Sequence, residues 1–181
     1  MSKQLSELIK EVSRARNLVV QSAGRFSEQQ AQFKSEVDKW SIVENVEHLV
    51  WAEMGGICGI WKTVEAIKAG RSHWKGTLIH KGLPIEEIVS RTWQPKEVAP
   101  EIAAPRWGGA LAFWLVSLNN CQLLLEELEV VLKGIDPESV IHPHPISGPL
   151  DVFQRMEFLR FHLDRHRNQI DGISRHSDFP T

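Results

Sequence analysis

Residues 40–49 read Trp40-Ser41-Ile42-Val43-Glu44-Asn45-Val46-Glu47-His48-Leu49. Ser41 followed by Glu44 forms a capping box: the serine hydroxyl accepts the third amide of a helix while the carboxylate reaches back to the serine N–H. Beyond it Val46, Leu49, Ile57, Ile60, Val64 and Ile67 recur at helical spacing as far as Gly70, which predicts one long helix. The same period runs through three more segments. Leu5, Leu8, Ile9, Val12, Ala15 and Val19 predict a helix ending near Gly24, a third helix spans Gly109 to Lys133 before Gly134, and a fourth spans about Leu150 to Ser174. No segment alternating with period two outranks these patterns, and there is no internal repeat. The expected fold class is all-α, a four-helix bundle.

The connections are of unequal length. A polar stretch from Phe26 to Lys39 separates the first two helices, and a loop holding four prolines, Pro137 to Pro149, precedes the last. The second-to-third connection, Arg71 to Arg106, is long and punctuated by Gly76, Gly82, Pro84, Pro95, Pro100 and Pro105. A short helix is expected there from Pro84 to Ser90, with the proline at its first position. A chain of 181 residues fits one domain, residues 1–181, against a prior of roughly 150 per domain.

Composition excludes several classes. The formal net charge is −2, and the fourth helix region, residues 149–176, has five arginines against four acids, so no basic face for nucleic acid is expected. Two cysteines, Cys58 and Cys121, cannot make a disulfide framework or a cysteine zinc site. The first residues carry no apolar run after Lys3, so no secretory signal is expected and the setting is read as cytoplasmic. Trp107 to Leu125 holds no charge over 19 residues, long enough to span a bilayer. Ser117, Asn119, Asn120 and Gln122 scatter polar groups around that helix, so a buried soluble helix is expected instead, covered on several sides, with a self-association interface as one way to cover it.

Eight histidines are the unusual entry in the composition. His162 and His166, in Phe158-Leu159-Arg160-Phe161-His162-Leu163-Asp164-Arg165-His166, stand four apart. At 100° per residue they lie about 40° apart on one helical face, shared with Leu159, Leu163 and Ile170. Two imidazoles so placed can grip one metal ion, or can be two hydrogen-bonded core histidines. His48 on the second helix offers a third ligand. Gly55, Gly56 and Gly59 follow it, although each glycine costs a helix around 1 kcal/mol against alanine. They give either close helix approach or room for a ligand beside the histidines.

The other histidines are weaker candidates. His142 and His144 flank Pro143 and form a pocket rim or a stiff loop; His73 and His80 are expected to be solvated, and His176 lies near a frayed terminus. Asp164 and Asp171 point away from His166. Glu44 is on the His48 face and is a weak candidate for general base, but the capping box already accounts for it. Arg155 lies on the His162 face two to three turns earlier, where it serves either a substrate carboxylate or an interhelix ion pair. Trp51, one turn after His48, lines a pocket or is plain core. The chain has no tyrosine, so no phenol can act as general acid. Paired Glu-x-x-His motifs are lacking, which argues against a di-iron carboxylate site.

Trp40-Ser41 with Glu44 to Leu49, then His144-Pro145 with Gly148, then His162-x-x-x-His166 with Gln169-Ile170 resembles the DinB/YfiT-like superfamily. The resemblance implies a bundle of up-down-down-up arrangement, often a homodimer, with a metal held by one histidine of the second helix and two of the last. Carried over, these are His48, His162 and His166. Three neutral imidazoles leave an open position on the ion, as catalytic sites do, and zinc and nickel both suit them. That position can hold water, acidified toward about 7 on zinc, or a small thiol held as thiolate. The family includes metal-dependent hydrolases and thiol S-transferases using bacillithiol, mycothiol or glutathione. The reading is therefore a metal-dependent enzyme acting on a small-molecule substrate, with a pocket expected at Trp51, Gly55, Arg155 and His144; the alternative is a non-catalytic metal- or ligand-binding stress-response bundle.

Overall fold

The computed structural model describes residues 4–71, 74–94 and 98–181. His73 and Pro95 lie outside them. Four long helices carry the fold: α1 (Leu5–Gly24), α3 (Ile42–Lys68), α5 (Leu111–Val131) and α6 (Val152–Ile173). Among the described residues two short α-helices lie in the connections, α2 (Glu28–Ala31) and α4 (Ile85–Thr92). Helix α1 packs on α5 and α6, and α3 packs on the same two, so α1 sits diagonally across from α3. The all-α bundle expected from the periodicities is present.

Local chemistry sets the helix starts. Ser41 and Glu44 make the capping box at α3, with Ser41 N–H donating to Glu44 Oε2 at 2.8 Å. Asp151 and Gln154 make another at α6. Leu150, assigned to the fourth helix on sequence, belongs instead to a strand. Gly108 and Gly109 adopt positive φ of 60° and 88°, so α5 begins two residues later than its apolar pattern suggested. Pro84 caps α4 rather than occupying its first turn. In the polar stretch 26–39, Ser27 and Gln30 cap α2.

Helix α5 buries one narrow stripe, Leu111, Trp114, Leu118, Cys121, Leu125 and Leu128, at alternating steps of three and four. Within a single chain it is covered along that stripe alone: Phe113, Val116, Leu123 and Leu124 stay exposed. No helix among the described residues is long and apolar enough to cross a membrane. Between α1, α3 and α5 the core holds a buried polar group. Arg16 donates to Glu53 Oε2 and to Gln122 Oε1, each at 2.5 Å, and Glu53 is fully buried.

The loop before α6 contains what the sequence periodicity did not reveal. His142–His144 (β1) pairs antiparallel with Gly148–Leu150 (β2), with His142 opposite Leu150 and His144 opposite Gly148. Residues two apart on a strand face the same way, so both histidines turn to one side. The C-terminus is docked rather than frayed. Phe179 packs edge-on against Phe26 and Phe33, and Asp178 N–H donates to His176 Nδ1.

Candidate metal centre and its cavity

Helix α3 brings His48, and α6 brings His162 and His166 one turn apart. All three are buried. His162 Nε2 lies 3.1 Å from Nε2 of His48 and 3.1 Å from Nε2 of His166. The outer nitrogens of two rings are occupied. His48 Nδ1 donates to the Ala103 carbonyl at 2.8 Å, and His166 Nδ1 donates to Asn45 Oδ1 at 2.8 Å. Asn45 is oriented by its own Nδ2, which donates to the Ser41 carbonyl at 2.8 Å. Both rings therefore present an Nε2 lone pair toward His162. Trp40 packs against them, 4.8 Å from the His48 ring and stacked 6.1 Å from that of His166.

The electrostatics keep these rings neutral. Burial holds the His48 pKa below its ordinary value, against the pull of the Ala103 carbonyl. Burial, reinforced by His166 and His48, pushes His162 well down, and burial with His48 and Arg165 does the same to His166. The His162 Nδ1 is buried without a hydrogen-bond partner. A neutral His162 has a single ring proton, which from Nε2 serves one of its two neighbours and leaves the other facing it without a donor, whereas one cation between the three rings would engage all three lone pairs. The donor set fits a metal: the three histidines could hold one ion.

The cluster opens into a cavity of about 530 Å³. Trp51, Gly55, Arg155 and His144, expected at a pocket on sequence, all line it. The three glycines of α3 have different jobs. A Cβ at Gly55 would meet nothing within 4 Å, one at Gly56 would overlap Arg155 Nη2, and one at Gly59 would overlap the His142 ring. They give room for side chains and for cavity rather than for close approach of helix backbones.

Several residues were misread or missed on sequence. His80 is buried, its Nε2 donating to the Ser147 carbonyl at 2.7 Å, and is not solvated. His142, read with His144 as a pocket rim or a stiff loop, lines the cavity, its pKa lowered to about 4 by burial and by the charges of Arg155 and Lys62. His144 accepts the backbone N–H groups of Ile146 and Ser147 on Nδ1, which leaves the ring proton on Nε2. Burial, Arg155 and His142 lower its pKa to about 3. Glu47, unremarked on sequence, is buried and accepts the backbone N–H groups of Arg106, Trp107 and Gly108, each at 2.8 Å. Burial raises its pKa, and those donors with Trp51 outweigh it and leave the carboxyl lowered. This anchor fixes the segment that carries the Ala103 carbonyl to His48. Glu44 is committed to the cap and to Lys34 Nζ at 2.6 Å. Arg155 makes no interhelix ion pair among the described residues.

Fold and site together define a class: an all-α bundle with three converging imidazoles at one end of a cavity. A sequence profile of the DinB superfamily matches residues 11–170, so the chain belongs to the DinB superfamily. No curated protein and no solved structure matches the chain.

Proposed function

We propose that the protein is a metal-dependent enzyme of small molecules that uses a low-molecular-weight thiol as nucleophile, an S-transferase. The observation that carries this reading is the convergence of three neutral Nε2 atoms, 3.1 Å apart in two pairs, at a cavity large enough for a small molecule. Zinc or nickel fits the donors. Such an ion supplies Lewis acidity, lowering the pKa of a thiol or a water in its open position.

The chain's own residues do the rest. Ala103 and Asn45 hold the rings of His48 and His166 in the ligating tautomer, and Trp40 shields them from water. The cavity wall is aromatic and apolar around Trp51, Trp93 and Phe158, and it leaves space beside Gly55. No carboxylate lines the cavity among the described residues, which favours a thiol over water, because a thiol with a free pKa of about 8.5 gives up its proton with far less help than water at about 15.7.

The test is turnover of a panel of electrophiles by zinc-loaded protein, with and without glutathione, bacillithiol or mycothiol. Thiol-dependent consumption abolished in His162→Ala supports the transferase. Ester or amide hydrolysis without thiol replaces it with the hydrolase reading, and metal binding with no turnover in either panel replaces it with a binding protein. The homodimer implied by the family resemblance is part of this proposal, with the exposed apolar side chains of α5 available to a second copy; its check is the solution mass.

A further inference from the structure

Arg155 is 4% exposed, and its Nε and Nη1 are fully buried with no hydrogen-bond partner. It forms no ion pair among the described residues. Burying a guanidinium with unmet donors is costly, and proteins normally offset that with a carboxylate. Here the surroundings are built to admit the cation instead. Position 56 is glycine, where any Cβ would collide with Nη2, and the Phe158 ring sits 5.8 Å from Cζ. The flanking His142 and His144 rings are neutral, so they add no second repelling charge. The burial of Arg155 lowers its pKa to about 10, which leaves it a cation at neutral pH.

We propose that the cavity recognises a small-molecule carboxylate, held by the Arg155 guanidinium. A planar guanidinium offers two forks, Nε with Nη2 and Nη1 with Nη2, each matching the two oxygens of a carboxylate, and in Arg155 each fork contains one buried N–H group without a partner. A phosphate needs donors on more sides, and the nearby backbone donors are spent. Asp151 caps the α6 N-terminus, and His144 takes the N–H groups of Ile146 and Ser147. The Nε2–H of His144, on the same cavity, is a further neutral donor. Arg155 and His162 are seven residues apart on α6, so they share a face with an axial separation of roughly 10 Å. The substrate therefore carries its carboxylate on the order of 10 Å from the end that reaches the three histidines. Only this last placement rests on the proposed function; carboxylate binding does not.

The experiment is calorimetric titration of metal-free protein with 3-phenylpropanoate, 4-phenylbutanoate, their uncharged amides, and inorganic phosphate. The expected result is at least tenfold tighter binding of a carboxylate than of its amide, lost in Arg155→Met and partly kept in Arg155→Lys. Thermal melting adds a control. With no protein carboxylate to abandon, Arg155→Met is expected to melt at or above the wild-type temperature. Equal binding of acid and amide overturns the proposal, as does a preference that survives in Arg155→Met. Phosphate binding as tight as the carboxylate, or a large fall in the Arg155→Met melting temperature, also overturns it. Because the readout uses metal-free protein, a chain that binds no metal fails the proposed function without touching this result.

Discussion

The neutral histidines of the hairpin make stability depend on pH in a way that can be worked out. His142 and His144 have folded pKa values lowered to about 4 and about 3, against roughly 6.5 in an unfolded chain. A depressed folded pKa contributes stability that is complete above about 6.5 and is lost as pH falls below it, because the unfolded chain takes up protons first. Between pH 7 and 5.5 the unfolded chain gains most of one proton per ring, while the folded rings gain almost none. Linkage converts this to about 1.2 kcal/mol per ring. Both rings keep some solvent contact, so about 1 kcal/mol each, or ~2 kcal/mol together, is the better figure. The assay is urea unfolding of metal-free protein at pH 7 and 5.5, for wild type and for the double variant His142→Gln/His144→Asn. The asparagine keeps an acceptor for the Ile146 and Ser147 amides, and only the change across the pH interval is compared, so a general loss of stability cancels. The double variant is expected to lose about 2 kcal/mol less than wild type on acidification. An identical loss in both refutes the reasoning, because the rings would then titrate in the folded protein as they do unfolded.

Other outcomes follow from single contacts. Asn45→Ala removes the acceptor for His166 Nδ1 and is expected to weaken zinc binding about 10- to 100-fold, read by competition with a chromophoric chelator. Gly59→Ala places a methyl group into the His142 ring and is expected to lower the melting temperature, whereas Gly55→Ala meets open space and is expected to leave it unchanged or raise it. Arg16→Met strips Glu53 of its ion-pair partner at a fully buried position and is expected to cost about 3–5 kcal/mol in urea unfolding.

What could be read in the chain beforehand depended on how local its cause was. The Ser41–Glu44 cap and the apolar rows of α1, α3 and α6 are set by neighbours within a turn, so the bundle was legible. His162 and His166 were legible for the same reason, since a four-residue step fixes a shared face. His48 could be offered as a third ligand from its place on the second helix, and the resemblance to a family joined it to the pair. The β hairpin was not legible, because two three-residue strands interrupted by Pro143 and Pro149 carry too little alternation to stand out. Without it His142 and His144 could be read only as a pocket rim or a stiff loop, and the pairing that turns both to one side stayed hidden. The burial of His80 depends on a carbonyl at Ser147, and the role of Glu47 depends on three amides at Arg106 to Gly108, partners dozens of residues away that no local pattern announces. The glycines of α3 were recognised as unusual, but only the packed structure distinguishes Gly56 and Gly59, which accommodate Arg155 and His142, from Gly55, which borders open cavity.

The metal content of reconstituted protein tests the three-histidine site most directly. Chelator-stripped protein would be loaded with Zn²⁺ or Ni²⁺, freed of excess ion, and measured by elemental mass spectrometry beside His48→Ala and His166→Ala. One ion per chain in wild type, and loss of that stoichiometry in both variants, is the expected result. Wild type that retains no ion, or variants that retain as much as wild type, would contradict it.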